Sequence, residues 1–143
     1  MKIAIIGAGN MGGAIARGLA HSNMDIKIAV ADLAQDKLDE LKAECDAIEV
    51  STDSLTIVAD ADVVLVAVKP WLVEPVLKGA LPALDLLRQI VLSIAAGVDI
   101  ATITSWLGNT CGVSLLTYSI ETIKSFDDPV VNLSPILILE PSP

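Results

Sequence analysis

A glycine-rich segment near the start of the chain has the spacing of an anion-binding loop. Residues 7–12 read Gly-Ala-Gly-Asn-Met-Gly and fit the pattern G-x-G-x-x-G. The segment follows a predicted strand and opens a predicted helix, the context in which this pattern binds dinucleotides. We expect Gly7 to permit a tight turn, Gly9 to let the backbone approach a pyrophosphate, and Gly12 to let the helix press on the strand. Unpaired N–H groups at the helix start would hold the anion; the alternative is a tight turn without a ligand.

A carboxylate stands where a dinucleotide-binding fold would use one. Asp32 ends the second apolar run, 20 residues after Gly12, and a carboxylate there accepts hydrogen bonds from the adenosine ribose. It would repel a 2′-phosphate, and residues 33–35 (Leu-Ala-Gln) offer no cation to offset it. We therefore expect NADH to be favoured over NADPH. The alternative role for Asp32 is to cap the next helix, and the two roles are compatible.

Two further segments follow predicted strands whose ends would face the same crevice. In a sheet of order 3-2-1-4-5, strands one and four flank the crevice in which ligands lie. Residues 67–70 (Ala-Val-Lys-Pro) end the fourth strand, and Pro70 holds Lys69 extended. Residues 93–97 (Ser-Ile-Ala-Ala-Gly) end the fifth strand with small side chains, as a wall against a flat ring requires. The alternatives are a solvated loop lysine for Lys69 and a plain strand end for residues 93–97.

The elements that must position these residues alternate along the first 108 positions. Short apolar runs predict strands, mostly buried, at residues 2–6, 26–31, 47–50, 63–68 and 90–94. Helical spacing and capping residues predict helices at residues 11–20, around 36–45, and at 54–59, 71–78 and 100–107. Pro75 should limit the fourth of these helices to two turns at best. Strand alternating with helix predicts an α/β fold, a doubly wound parallel sheet of Rossmann-like type.

The pattern changes after Gly108 and divides the chain into two parts. Residues 1–108 are predicted to form a dinucleotide-binding domain, and residues 109–143 an atypical C-terminal segment. That segment holds a possible edge strand at residues 113–118. Four of the seven prolines lie in its last 15 positions, which predicts a loosely held tail.

Composition argues against several classes of protein. The chain has 9 basic and 18 acidic residues, a net charge of −9, which argues against nucleic-acid binding. Its apolar runs are far shorter than the ~18 residues of a membrane-spanning helix, and residues 3–6 are shorter than the ~7–15 residues of a secretory signal. Two cysteines suggest a reducing compartment, so we expect a cytoplasmic protein. We predict no metal site and no catalytic side chain, and expect His21 to be a surface residue at a helix end.

Three segments together resemble pyrroline-5-carboxylate reductase. They are residues 1–15, which contain the glycine loop, residues 67–70, and residues 93–98 (Ser-Ile-Ala-Ala-Gly-Val). Members of that family reduce the ring imine of pyrroline-5-carboxylate to proline with NAD(P)H. The resemblance covers residues 1–108 and implies an oxidoreductase of proline biosynthesis with a small-molecule substrate.

The resemblance also assigns cofactor-binding roles to individual residues. The glycine loop would hold the pyrophosphate, Asp32 and Ser54 the adenosine, and the last two segments the nicotinamide. The residues so assigned are Gly7, Ala8, Gly9, Asn10, Met11, Gly12, Asp32, Ser54, Ala67, Val68, Lys69, Pro70, Ile94 and Ala96. Ser54 stands where the family often has asparagine. Leu33 stands where many members carry a basic or hydroxyl residue for NADPH.

The resemblance ends near Gly108. The family continues with a Met-Pro-Asn-Thr-Pro loop and a helical domain that dimerises and supplies the substrate site, whereas Cys111 and Gly112 follow Asn109-Thr110 here. We expect this second domain to be missing and imine reduction to be impaired in this chain alone, because hydride transfer needs reactants held ~3–3.5 Å apart. Uncovered apolar surface predicts self-association. The alternatives are a non-catalytic NAD(P)-binding module or truncated remnant, and a different imine or 3-hydroxyacid reductase.

Overall fold

Six parallel strands form the centre of the molecule in the computed structural model, which describes residues 1–108 and the backbone of residues 114–117. The strands are β1 (Lys2–Ile6), β2 (Lys27–Ala31), β3 (Glu49–Ser51), β4 (Val63–Val66), β5 (Ile90–Ser93) and β6 (Ser114–Thr117). Their order is β3-β2-β1-β4-β5-β6, and every neighbouring pair is parallel. The predicted doubly wound α/β fold and the order of its first five strands are confirmed.

Five α-helices within the described ranges connect and cover the strands. They are α1 (Asn10–Ala20), α2 (Gln35–Glu44), α3 (Ser54–Val58), α4 (Val73–Ala80) and α5 (Ile100–Trp106). Helices on both faces explain why the central strands are apolar throughout, since neither face meets water. Ile5 of β1 packs against Leu38 and Leu41 of α2 on one face, in a cluster that buries all three side chains. None of the helices in the described part is long and apolar enough to cross a bilayer.

Two helices begin at aspartates that cap them. Asp53 Oδ1 accepts a hydrogen bond from Leu55 N at 3.0 Å at the start of α3, and Asp99 Oδ1 accepts one from Thr102 N at 2.8 Å at the start of α5. Hydrogen bonding from Thr102 holds the pKa of Asp99 below its usual value. The helix that a capping residue predicts at residues 100–107 is confirmed as α5, and the capping residue is Asp99.

Some predicted boundaries differ from those in the structure. The segment predicted as a helix at residues 71–78 is a 3-10 turn at Pro70–Leu72 followed by α4, which continues to Ala80. Pro75 lies in the first turn of α4, where a backbone N–H has no partner within the helix, so it does not interrupt that helix. Strand β3 begins at Glu49 rather than residue 47, because the chain is still turning at Ile48, whose N–H bonds the Cys45 carbonyl.

The amino ends of the strands are joined by ion pairs. Lys2 Nζ lies 2.7 Å from Asp60 Oδ1 and 3.4 Å from Glu49 Oε2. Burial works to lower the pKa of Lys2, but these two carboxylates outweigh it and raise that pKa above its usual value. The hydrogen bond from Lys2 lowers the pKa of Asp60. These contacts join the start of β1 to the start of β3 and to the segment before β4, at the end of the sheet opposite the glycine loop.

The strand predicted at residues 113–118 corresponds to β6, which pairs with β5 at the edge of the sheet. Cys111 and the predicted loose tail after residue 118 lie outside the described residues. The division of the chain at Gly108 remains a prediction.

Candidate functional site

The carboxyl ends of neighbouring strands meet on one edge of the sheet. The register pairs Ile6 of β1 with both Ala31 of β2 and Val66 of β4, so these ends are level. The loops that follow extend the backbone ladder by one bond each: Gly7 N donates to the Ala31 carbonyl at 2.8 Å, and Ala67 N to the Ile6 carbonyl at 2.8 Å. Strands β4 and β5 end earlier than predicted, at Val66 and Ser93, and the residues that follow them line a cavity.

A cavity of about 410 Å³ lies between these loops and the first turns of α1 and α2. This volume is within the range of small-molecule sites, roughly 300–1,000 Å³. Of the fourteen residues predicted to bind a cofactor, eleven line this cavity. The three that do not are Ala8, Gly12 and Ser54. The lining also contains Ala95, which lies within the segment assigned to the nicotinamide, and it adds Lys37 and Leu72, which were not predicted to belong to the site.

Two glycines of the loop are required by the packing of the protein itself. Gly7 has φ +113°, and a Cβ placed on it would lie 2.4 Å from the Ala67 carbonyl oxygen. A Cβ on Gly12 would lie 2.0 Å from the Gly7 carbonyl oxygen and 3.1 Å from Ala67 Cβ. Such distances to backbone atoms leave no room for a side chain. These two glycines let α1 and the end of β4 close on the turn, as their predicted roles require.

Gly9 differs from the other two glycines of the motif. A Cβ placed on it would meet nothing within 4 Å, and its φ of −72° suits any residue. Gly9 also lines the cavity. The protein therefore has no internal need for glycine at this position, and the space in front of it opens on the cavity.

The first turn of α1 leaves backbone donors unpaired. Among the described residues, the amides of Asn10, Met11 and Gly12 have no acceptor, and Gly13 N is the first to bond, to the Gly9 carbonyl at 2.8 Å. No acidic side chain lies in this turn. Free N–H groups and the positive end of the helix dipole together favour an anion at this place.

Asp32 is held in place by both of its carboxylate oxygens. Oδ2 accepts a hydrogen bond from Ala8 N at 2.7 Å, and Oδ1 accepts one from Ala34 N at 2.8 Å. Ala34 is the N-cap residue of α2, so the alternative in which Asp32 caps that helix is wrong. Asp32 instead holds the glycine loop against the end of β2, through the hydrogen bond that Ala8 N donates to it. Each oxygen keeps a further lone pair for another donor.

A second, mostly apolar cavity of about 400 Å³ lies beside Asp32. It shares Gly7, Asp32, Val68 and Leu72 with the first cavity, and it contains Ser54 at the start of α3. Tertiary structure thus brings Ser54 to the same edge of the sheet as the glycine loop.

His21 lies outside both cavities. It is exposed at the C-terminal end of α1, where its Nδ1 is 3.0 Å from the Arg17 carbonyl oxygen. Within residues 1–108, no three His, Cys, Asp or Glu side chains are grouped as a metal site would require.

Comparison with known proteins identifies the class of oxidoreductase to which this fold and loop belong. The family described as NADP oxidoreductase, coenzyme F420-dependent, matches residues 2–97, and the chain belongs to this family. Pyrroline-5-carboxylate reductase of Pseudomonas aeruginosa is 37% identical over 108 residues, which are 75% of this chain and 39% of that protein. The described domain is therefore an N-terminal domain of the pyrroline-5-carboxylate reductase family, and the resemblance found in the sequence is confirmed.

Solved structures agree with this assignment. Pyrroline-5-carboxylate reductase from Coxiella burnetii has a TM-score of 0.73 and 31% identity over 85% of this chain and 46% of its own. The Plasmodium falciparum pyrroline carboxylate reductase structure, which has NADP bound, has a TM-score of 0.66 and 22% identity over 82% of this chain and 41% of its own. This second likeness shows the fold alone. The chain spans less than half the length of these relatives.

Proposed function

We propose that this chain binds NAD(P)H as the cofactor-binding part of a pyrroline-5-carboxylate reductase. The observation that carries the proposal is the open space in front of Gly9, next to the unpaired amides of α1. A dinucleotide pyrophosphate fits this place, because it is an anion that can approach bare backbone and accept hydrogen bonds from it.

The adenosine end of the dinucleotide would lie at Asp32 and in the second cavity. The remaining lone pairs of Asp32 are free to accept hydrogen bonds from ribose hydroxyls, and the mostly apolar cavity beside Ser54 suits an adenine ring. The negative charge of Asp32 supports the predicted preference for NADH over NADPH.

The nicotinamide end would lie against the ends of β4 and β5. Here Ala67, Val68, Pro70, Ile94 and Ala96 form a wall of small or apolar side chains. When bound, a reduced nicotinamide supplies a hydride to the carbon of the ring imine. The wall would orient the ring and keep water from one of its faces. We propose that groups that hold pyrroline-5-carboxylate come from outside residues 1–108, so that this chain alone binds cofactor but reduces the imine poorly.

NADH binding tests this proposal directly. Trp71 follows Pro70 of the cavity wall and is 72% exposed, so quenching of tryptophan fluorescence by NADH is a suitable signal beside calorimetry. We expect saturable binding below millimolar NADH, and its absence at that concentration would contradict the proposal. Turnover with pyrroline-5-carboxylate, with and without a separately supplied helical domain of a relative, then distinguishes a reductase domain from a non-catalytic binding module. The predictions of a cytoplasmic location and of self-association need localisation and size-exclusion experiments.

Asp32→Asn is expected to weaken NADH binding about tenfold. An amide keeps the size of the side chain but loses the charge, and a hydrogen bond to a charged group is worth ~1.5–3 kcal/mol. NADPH binding should weaken less than NADH binding, because the repulsion between Asp32 and the 2′-phosphate is relieved. The matched control is Asp36→Asn, which removes an exposed carboxylate from the first turn of α2 outside either cavity lining. Calorimetric Kd values in which both variants match the parent would exclude a ribose-binding role for Asp32.

A further inference from the structure

Lys37 is one of the few basic side chains of residues 1–108 without a carboxylate partner. Five basic residues in this range form ion pairs: Lys2, Arg17, Lys42, Lys78 and Arg88. The structure gives no ion pair within the same range to Lys27, Lys37 or Lys69. Lys37 and Lys69 line the cavity of about 410 Å³, whereas Lys27 begins β2 at the opposite end of the sheet. Unpaired cations on a cavity wall, in a chain of net charge −9, indicate an anionic ligand.

The position of Lys37 indicates which part of a dinucleotide it would contact. Lys37 lies in the first turn of α2, directly after the turn that Asp32 begins, and the two side chains line the same cavity. Asp32 is the proposed ribose acceptor, so Lys37 belongs to the adenosine end of the site. Lys69 follows β4, at the nicotinamide end.

Asp32 and Lys37 do not neutralise each other. No ion pair joins them, and the oxygens of Asp32 accept hydrogen bonds from the backbone amides of Ala8 and Ala34 instead. Those two donors stabilise the carboxylate charge, which leaves the Lys37 ammonium available to a ligand. Leu33, the residue directly after Asp32, is 92% exposed and supplies no charge.

We propose that Lys37 is a specificity-determining residue that binds the 2′-phosphate of NADPH, so that the site accepts NADPH despite Asp32. This inference rests on the proposed function. Residues 33–35, directly after Asp32, supply no cation to offset its charge. The fold of α2 brings a cation from two positions further along the chain to the same cavity, and its charge opposes the repulsion between Asp32 and a phosphate.

The test compares NADH and NADPH affinities of the full chain by calorimetry for the parent, Lys37→Gln and Lys27→Gln. Lys27→Gln removes the same unit charge at the far end of β2, and both side chains are exposed, so neither variant should alter the fold. We expect Lys37→Gln to weaken NADPH binding about tenfold and NADH binding by less than about twofold. Lys27→Gln should change both by less than about twofold, and Lys37→Arg should retain NADPH binding.

Ionic strength provides a second measurement. Raising the salt concentration from about 0.05 to 0.5 M should weaken NADPH binding more than NADH binding in the parent. This difference should vanish in Lys37→Gln. Equal losses of NADH and NADPH in Lys37→Gln, or no loss of either, would overturn the role of Lys37 while the proposed function stands. Failure of the parent to bind either dinucleotide would overturn both.

Discussion

Gly9→Val is expected to abolish dinucleotide binding and to leave the fold unchanged. The backbone at Gly9 has φ −72° and ψ −167°, a conformation that valine adopts readily, and the added side chain meets no protein atom near its Cβ. It would instead occupy the space in front of the α1 amides, where the pyrophosphate is proposed to lie. Hydrogen bonds to a charged group are worth ~1.5–3 kcal/mol each, so loss of two corresponds to at least about a hundredfold weaker binding.

The measurement is an NADH titration of Gly9→Val alongside its thermal unfolding by circular dichroism. Gly18→Val is the matched control, since Gly18 is an exposed residue further along α1 where a Cβ also meets nothing within 4 Å. The control should bind NADH like the parent. Unchanged NADH affinity in Gly9→Val would refute the pyrophosphate role of the loop, and the proposed function with it.

Gly12→Ala is expected to destabilise the protein by about 3 kcal/mol, a large overpacking cost. The new methyl group would lie 2.0 Å from the Gly7 carbonyl oxygen, so either α1 or the glycine turn must shift. The neighbouring Ala67 Cβ, 3.1 Å away, prevents an easy escape. Urea denaturation followed by circular dichroism measures the change in the free energy of unfolding.

Gly18→Ala, the control in the same helix, should be neutral or stabilise the protein by up to ~1 kcal/mol, because alanine favours a helix over glycine. Equal stability of Gly12→Ala and the parent would mean that α1 does not press on the turn as the structure has it. Gly9 and Gly12 thus belong to one motif, but their substitution should have different effects. A side chain at Gly9 should block the ligand, and a side chain at Gly12 should disrupt packing.

The chain spans only part of the length of its relatives. The Pseudomonas aeruginosa reductase is matched over only 39% of its length, and the described residues contribute the cofactor side of the proposed site. Binding is therefore the property by which variants of this chain should be judged. Turnover needs a separate measurement, because the groups that hold the substrate are proposed to come from outside residues 1–108.

Much of the fold and of the site follows from local features of the sequence. Apolar runs predict the strands, because a strand covered on both faces must be apolar at every position. The spacing of Gly7, Gly9 and Gly12 after the first run predicts the anion-binding turn, and a carboxylate 20 residues later predicts the partner at β2. These signals lie within one strand–helix–strand unit, so they need no knowledge of distant contacts.

Tertiary structure decided which residues share a cavity and which serve the protein's own packing. Gly12 is needed because Gly7 and Ala67 close on it, whereas Gly9 faces open space, and the motif alone does not separate these roles. Lys37 reaches the cavity only because α2 starts beside the glycine loop, and Asp32 is held by an amide 24 positions earlier in the chain. Such contacts depend on how elements pack across the sheet, and the periodicity of a single segment carries no information about its neighbours.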